Sequence, residues 1–225
     1  MSACTALIVA AGRASRMQGI DKITAPLRGI PLILRTVRAV AACPDITSIL
    51  IVTREDLIPE ITELCSAEPK FTKAVVGGET RAESVLLGLQ EVSTPWVAIQ
   101  DGARPLVSVE VIHEAVAMAR AKGAAAPAIL VKDTVKVAQD SRVECTPDRS
   151  RLFAVQTPQV FATESILQAL AGCIESGIPL TDDCSAMEAM GHPVYLTQGS
   201  EENIKVTTPT DLWLAESILA RRDEA

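Results

Sequence analysis

Apolar residues along this chain fall into two alternating kinds of run. Ala6-Leu7-Ile8-Val9 is short and unbroken, which predicts a strand buried on both faces. From Pro31 to Cys43 the spacing changes: Ile33, Leu34, Val37, Val40 and Ala41 recur with helical period, Pro31 suits a first turn and Pro44 stops the element. Ser48 to Thr53 predicts a second buried strand, and Ile58, Ile61, Leu64 and Cys65 mark the next helix. Lys73 to Val76 is another strand, ending in Gly77-Gly78. Thr80-Arg81-Ala82-Glu83 has capping-box spacing ahead of apolar Val85, Leu86 and Leu89, which predicts a helix start. Trp96 to Gln100 is a strand that gives way to Asp101-Gly102-Ala103-Arg104-Pro105. Ser108 then caps a helix to Lys122, stopped by Gly123.

The rhythm changes in the second half. Ala124 to Val131 predicts a strand, after which Thr134 to Val137 and Arg142 to Glu144 alternate polar with apolar around a turn at Asp140-Ser141. Such a hairpin is either a solvated edge or an arm reaching to a partner subunit, and spacing favours neither. Leu152 to Phe161 is an apolar run interrupted by Gln156-Thr157-Pro158-Gln159. Thr163 is expected to cap a helix stopped at Gly177, and Thr181-Asp182-Asp183 to open a short one. Val194 to Leu196 and Asn203 to Val206 read as strands. Thr208-Pro209-Thr210-Asp211 begins the last helix, which is expected to fray after Leu219.

Strand and helix alternate four times over the first half. That pattern predicts an α/β fold, a single doubly wound and mainly parallel sheet with helices on both faces. Ligands bind such sheets beyond the carboxyl ends of the strands. The loops Ala10–Lys22, Gly77–Arg81 and Asp101–Arg104 all leave strands at that end and should converge. The first joins Ala10-Ala11-Gly12 to the cations Arg16 and Lys22, so backbone N–H groups and positive charge lie close in sequence. That combination suits a phosphate.

Composition narrows the class. The 225 residues form one domain, residues 1–225, with 132–157 as a candidate arm. Apolar residues make up 48% and aromatics only 3%, so the core is aliphatic. A formal charge of −7 argues against a general nucleic-acid binder. Six cysteines without a C-x-x-C pair, beside two histidines, disfavour structural zinc and point to reduced thiols in a cytoplasmic protein. His113 and His192 lack partner spacing and read as structural. No apolar run is long enough to span a bilayer, so no membrane partner is expected. A dinucleotide-binding dehydrogenase is disfavoured because no G-x-G-x-x-G follows the first strand.

Several blocks then occur together and in order. Ala10-Ala11-Gly12 with Arg16-Met17 and Lys22 resembles the signature of nucleotidyltransferases that activate sugar phosphates. Gly78-Glu79-Thr80-Arg81-Ala82-Glu83-Ser84-Val85, Asp101-Gly102-Ala103-Arg104-Pro105, Asp133-Thr134-Val135-Lys136, Thr157-Pro158-Gln159, Thr181-Asp182-Asp183 and Asn203-Ile204-Lys205-Val206-Thr207 narrow the resemblance. It is to the 2-C-methyl-D-erythritol 4-phosphate cytidylyltransferases of the non-mevalonate isoprenoid pathway, over about residues 5–219. The resemblance implies a nucleotide-diphospho-sugar transferase-like, Rossmann-like fold. It implies cytidylyl transfer from CTP to the polyol phosphate with release of pyrophosphate, Mg²⁺ on the triphosphate, and a homodimer joined through the 132–157 arm.

By the same resemblance Arg16 and Lys22 are the catalytic cations, a bidentate grip and a mobile point charge. Ala10, Ala11, Gly12, Gly78, Glu79, Arg81, Ser84, Asp101 and Gly102 would bind the nucleotide, with Asp101 also holding the metal. Arg104, Thr134, Arg149, Thr157 and Lys205 would bind the polyol phosphate, Arg149 and Thr157 acting across the dimer. Thr181 and Asp182 are weaker candidates, since a helix cap explains them. The chain departs from the family pattern at Ala14, where a second glycine is usual, and at Ser15, where a further cation is common. It also departs at Asp21-Lys22-Ile23, where Pro-Lys-Gln is usual, and at Gln100, where His or Ser is usual. Two rivals follow: a relative using ribitol 5-phosphate, and a non-catalytic nucleotide-binding homologue. A molybdenum-cofactor cytidylyltransferase would leave the Asp101–Arg104 and Lys205 blocks unexplained.

Overall fold

The computed structural model describes residues 2–12 and 23–223. After β1 (Cys4–Val9) comes a small ribbon, β2 (Pro26–Leu27) with β3 (Ile30–Pro31). Then follow α1 (Leu32–Ala41), β4 (Ile46–Thr53), α2 (Ile58–Cys65), β5 (Phe71–Val76) and α3 (Arg81–Leu89). Next are β6 (Trp96–Asp101), α4 (Val109–Lys122), β7 (Ala124–Leu130) and the hairpin β8 (Val137–Gln139) with β9 (Arg142–Cys145). The chain ends through β10 (Phe153–Val155), β11 (Gln159–Ala162), α5 (Thr163–Glu175), α6 (Asp183–Ala189), β12 (Tyr195–Gln198) and α7 (Pro209–Asp223).

An eight-stranded sheet runs in the order β10-β7-β11-β6-β1-β4-β5, with β12 also pairing β7. Strands β6, β1, β4 and β5 are mutually parallel, and β11 enters antiparallel between β6 and β7. Period-two alternation divides the central strands between two cores. Ala6, Ile8, Ile49, Ile51 and Ala98 pack against the inner faces of α1, α2, α4 and α7. Leu7, Leu50, Val52, Val97 and Ile99 pack instead against α3, α5 and α6. The doubly wound expectation is therefore met at the level of individual side chains.

The local signals hold where backbone polar groups demand them. The Thr80 hydroxyl accepts from Glu83 N, and Glu83 accepts in return from Thr80 N, closing the capping box. Ser108 caps α4, and Gly123 ends it at φ +99. Asp140 and Ser141 both take positive φ, the tight-turn geometry that the twist of a two-residue hairpin requires.

Four expectations need correction. Asn203 to Val206 is not a strand; it is an irregular strap, held by side chains rather than by a ladder. Thr163 does not cap α5: Ala162 occupies the cap position, and the Thr163 hydroxyl donates to Thr94 O. Residues 132–157 do not all protrude, because β10 returns to the main sheet beside β7. The last helix continues past Leu219 to Asp223. His113 also has a partner that sequence spacing could not reveal. Its Nδ1 lies 2.6 Å from buried Asp45, which Arg120 holds from the other side. No helix among the described residues is long and apolar enough to cross a membrane.

Candidate active site

Four neighbouring parallel strands end on one side of the sheet, and their loops build a cavity of about 1460 Å³. Val9 to Gly12 follow β1, Arg54 to Asp56 follow β4, Val76 to Arg81 follow β5 and Asp101 to Ala103 follow β6. Ile23, Ser84 and Lys205 complete the wall. The convergence expected from the sequence is therefore present for Ala10, Ala11, Gly12, Gly78, Glu79, Arg81, Ser84, Asp101, Gly102 and Lys205. Arg16 and Lys22, with Ala14 and Asp21, lie outside the described residues.

The small residues have a packing reason as well as a binding one. A Cβ on Gly77 would stand 2.7 Å from Ser84 Oγ and 2.8 Å from Ala11 Cβ. One on Gly102 would meet Ala10 Cβ and Val9 O at 3.1 Å. The loops cross so closely that side chains are excluded, which leaves backbone and short groups to face a ligand. Ser84 is already engaged: its hydroxyl donates to Thr80 O at 2.8 Å and accepts from Gly78 N at 3.1 Å. It holds the glycine loop against α3.

Asp101 is the electrostatic centre. Its Oδ2 lies 3.0 Å from Lys205 Nζ and 3.2 Å from Arg104 Nε, while Arg81 Nε stands 3.8 Å from Oδ1. Burial works against its charge, yet Lys205, Arg81 and Arg104 together hold its carboxyl below the ordinary value. The Thr157 hydroxyl, buried beneath, accepts from Asp101 N at 3.0 Å. Arg81 is aimed from behind by a forked pair to Asp183, both bonds 2.8 Å. Burial opposes the charge on Arg81, and the pairing with Asp183 outweighs it, raising the guanidinium's pKa.

The polyol-phosphate candidates are divided in space. Lys205 reaches the cavity, whereas Arg104 is partly buried between Asp101 and Asn203 O and does not line it. Thr157 lies in the core of its own subunit at 3% exposure. Arg149 bonds Lys132 O and lines a separate hollow of about 620 Å³ at the base of the hairpin, and exposed Thr134 lines neither space. Sequence reading missed the wall formed by Arg54, Glu55 and Asp56, although the strand-end rule that found the other loops applies to it equally. It also missed Asp183 and Gln159, whose amide accepts from Asp183 N and Cys184 N. Two departures find local reasons: Ile23 is a core residue at 2% exposure, and Gln100, fully buried, points its amide NH₂ at Arg104 O.

The ionisable side chains among the described lining residues are three cations, Arg54, Arg81 and Lys205, and four carboxylates, Glu55, Asp56, Glu79 and Asp101. Among the described residues no cluster of three His, Cys, Asp or Glu could hold a metal alone. Mg²⁺ needs none, since it commonly binds through one carboxylate together with phosphate oxygens and water. Asp101 could take that role through Oδ1, from which Arg81 Nε stands 3.8 Å away.

A family model described as 2-C-methyl-D-erythritol 4-phosphate cytidylyltransferase matches residues 4–221. The enzyme of that name from Desulforamulus reducens is 44% identical over 230 residues, covering 99% of this chain and 98% of the relative. One from Geobacillus kaustophilus is 42% identical, covering 96% and 97%. The crystal structure of 4-diphosphocytidyl-2C-methyl-D-erythritol synthase from Anaerococcus prevotii superposes with a TM-score of 0.88 at 28% identity, covering 97% of this chain and 99% of that one. With a cavity built from the loops that carry the family's blocks, and with likeness along its whole length, this chain belongs to the 2-C-methyl-D-erythritol 4-phosphate cytidylyltransferase family.

Proposed function

We propose that this protein transfers the cytidylyl group of CTP to 2-C-methyl-D-erythritol 4-phosphate and releases pyrophosphate, as one domain over residues 1–225, in the cytoplasm. The observation that carries the reading is the meeting of Arg81, Arg104 and Lys205 around buried Asp101 at the end of the parallel strands. An oxygen of the acceptor phosphate attacks the α-phosphorus of CTP in line. The new P–O bond forms as the bond to the bridging oxygen breaks, and that electron pair leaves with pyrophosphate. Charge rises on the phosphoryl oxygens, so fixed cations and backbone N–H groups lower the barrier.

In this reading Arg16 and Lys22 act on the reacting phosphorus and the leaving pyrophosphate. Ala10, Ala11, Gly12, Gly78, Glu79, Ser84 and Gly102 receive the nucleotide through backbone and short side chains, with Arg81 beside them. Asp101 would hold Mg²⁺ beside the triphosphate, where the ion would supply charge neutralisation. Lys205 draws the acceptor phosphate toward Asp101, with Arg104 behind it. Thr157 fixes the backbone of Asp101, a role within one subunit. Thr134 contributes to the acceptor site, and Arg149 completes it from the 132–157 arm of a partner subunit. Exposed Val137 and Val143 on the hairpin, with exposed Phe153 and Val155 on the sheet strand β10 beside its base, support burial of this face against a second copy.

Pyrophosphate release measured with CTP and either methylerythritol phosphate or ribitol 5-phosphate tests the reading. Turnover with the first is expected. Turnover with ribitol phosphate alone would overturn the acceptor, and turnover with neither would favour a nucleotide-binding homologue. Lys22→Ala should abolish turnover and leave the oligomeric state unchanged. Mixing Arg149→Ala with Lys22→Ala chains should restore about a quarter of normal sites if sites are shared between subunits.

A further inference from the structure

The strap from Gly199 to Val206 carries Lys205 without belonging to the sheet. Two backbone bonds tie it down, Gly199 N to Ala128 O and Val206 N to Ala103 O, and Asn203 N to Ser200 O closes a turn within it. Two buried amides add to these, beside ion pairs of Glu201 with Lys132 and of Glu202 with Arg221 and Arg222. Gln156 Nε2 donates to Ser200 O at 2.8 Å, and its Oε1 accepts from Ser200 N and Asn203 Nδ2, each at 3.2 Å. Asn203 Nδ2 also donates to Thr157 O at 2.9 Å, and Asn203 O accepts from Arg104 at 2.6 Å. Gln156 and Asn203 are 6% and 0% exposed. The packing around Gln156 is tight enough that a Cβ on Gly199 would lie 2.8 Å from its Oε1.

Asn203 therefore ties together three segments. Its side chain grips the residues that hold Asp101 through Thr157, its carbonyl holds Arg104, and two residues later the chain presents Lys205. Both cations arrive at the same oxygen, Asp101 Oδ2, from different directions. A lysine on irregular backbone has much conformational freedom to lose, so its aim depends on whatever fixes that backbone. A fully buried amide whose Nδ2 donates two hydrogen bonds does so more rigidly than a solvated turn.

We propose that Asn203, supported by Gln156, is a positioning residue for the acceptor end of the site: it sets where Lys205 and Arg104 stand relative to Asp101. The assignment to the acceptor rests on the cytidylyl-transfer reading above; the clamp itself does not. Steady-state kinetics on wild type, Asn203→Ala, Lys205→Ala and the double variant test it. Asn203→Ala should raise KM for methylerythritol phosphate about tenfold and leave KM for CTP within about twofold. In the Lys205→Ala background it should add less than about threefold, because the ammonium it aims is gone. An unchanged acceptor KM, equal rises for both substrates, or fully multiplying losses would overturn the proposal.

A second measurement needs no turnover. Lysines are reductively methylated with ¹³C-formaldehyde, and the Lys205 dimethylamine signal is assigned by its loss in Lys205→Ala. In Asn203→Ala it should move to the position of exposed lysines, and an unmoved signal would overturn the clamp. If wild type turns over neither acceptor, the functional reading fails while this signal still decides the positioning role. Gln156→Ala should reproduce both patterns in weaker form, and it carries the test if Asn203→Ala does not fold.

Discussion

At Gly88, in the last turn of α3, helix propensity and packing pull in opposite directions. Replacing glycine by alanine inside a helix contributes about 0.8–1 kcal/mol of stability, by restricting the unfolded chain and strengthening the helix. Here the added Cβ would stand 2.5 Å from Val52 Cγ2 and 2.6 Å from Leu7 Cδ1. Carbon pairs prefer about 3.5–4.0 Å, so the helix must lift by about 1 Å or the two side chains must leave their rotamers. Leu7 and Val52 are fully buried on adjacent strands, and a β-branched valine has little rotamer freedom to offer. Overpacking of this kind costs about 1–3 kcal/mol, and two contacts at once put it at the upper end. The clash should win by about 2 kcal/mol, lowering the melting temperature by about 4–8 °C for a chain of this size. Gly172 in α5 is the matched control, since a Cβ there meets only Met190 Cε at 3.5 Å, and alanine should stabilise it slightly. Thermal unfolding followed by circular dichroism compares the two. If Gly88→Ala melts as high as Gly172→Ala, the close approach of α3 to the sheet is wrong. Because α3 begins with Arg81 and carries Ser84 into the cavity, Gly88→Ala should also weaken CTP binding.

Other perturbations follow the same logic. Thr80→Ala opens the capping box and should cost about 1 kcal/mol in urea unfolding, with Thr80→Ser restoring most of it. Asp183→Ala removes a buried partner from Arg81 and should destabilise by about 2–3 kcal/mol, less than a fully dry pair because Arg81 faces the cavity; a variant melting like wild type would sink the pairing. Asp45 works against burial, but His113 and Arg120 hold its carboxyl below 3.8, so its contribution is complete above that value and fades as pH falls through the lowered one. Asp45→Asn should therefore flatten the acid limb of a stability-versus-pH curve below about pH 4. Chelation of divalent cations by EDTA should abolish pyrophosphate release without changing the melting curve, because no structural metal cluster is found among the described residues.

The sequence was most informative where a local rule and a burial requirement coincided. Unbroken apolar strands, the Thr80–Glu83 box and the strand-end loops all depend on neighbours in sequence, and among the described residues each took its expected place. Asn203 to Val206 misled because its alternation is that of a strand, while its hydrogen-bond partners, Gln156, Thr157 and Ala103, are supplied by tertiary structure. Thr163 looked like a cap, but its hydroxyl found a carbonyl 69 residues away in sequence. The same holds for Asp183 behind Arg81: a carboxylate 102 residues distant leaves no local mark. Resemblance supplied Arg104 and Thr157 as site residues, and the geometry changes how they serve. Both sit beneath the cavity and shape Asp101 from behind.

The near balance of charge along the described wall has a consequence for how a polyanion would enter. A triphosphate approaching three cations and four carboxylates meets little net attraction from them, within a chain whose formal charge is −7. On the proposed reading, the surplus would come from Arg16 and Lys22 and from an ion that travels with the nucleotide. CTP affinity should accordingly follow free Mg²⁺ much more steeply than ionic strength. The nucleotide would carry its own counter-charge into a wall that is selective because it is not strongly attractive.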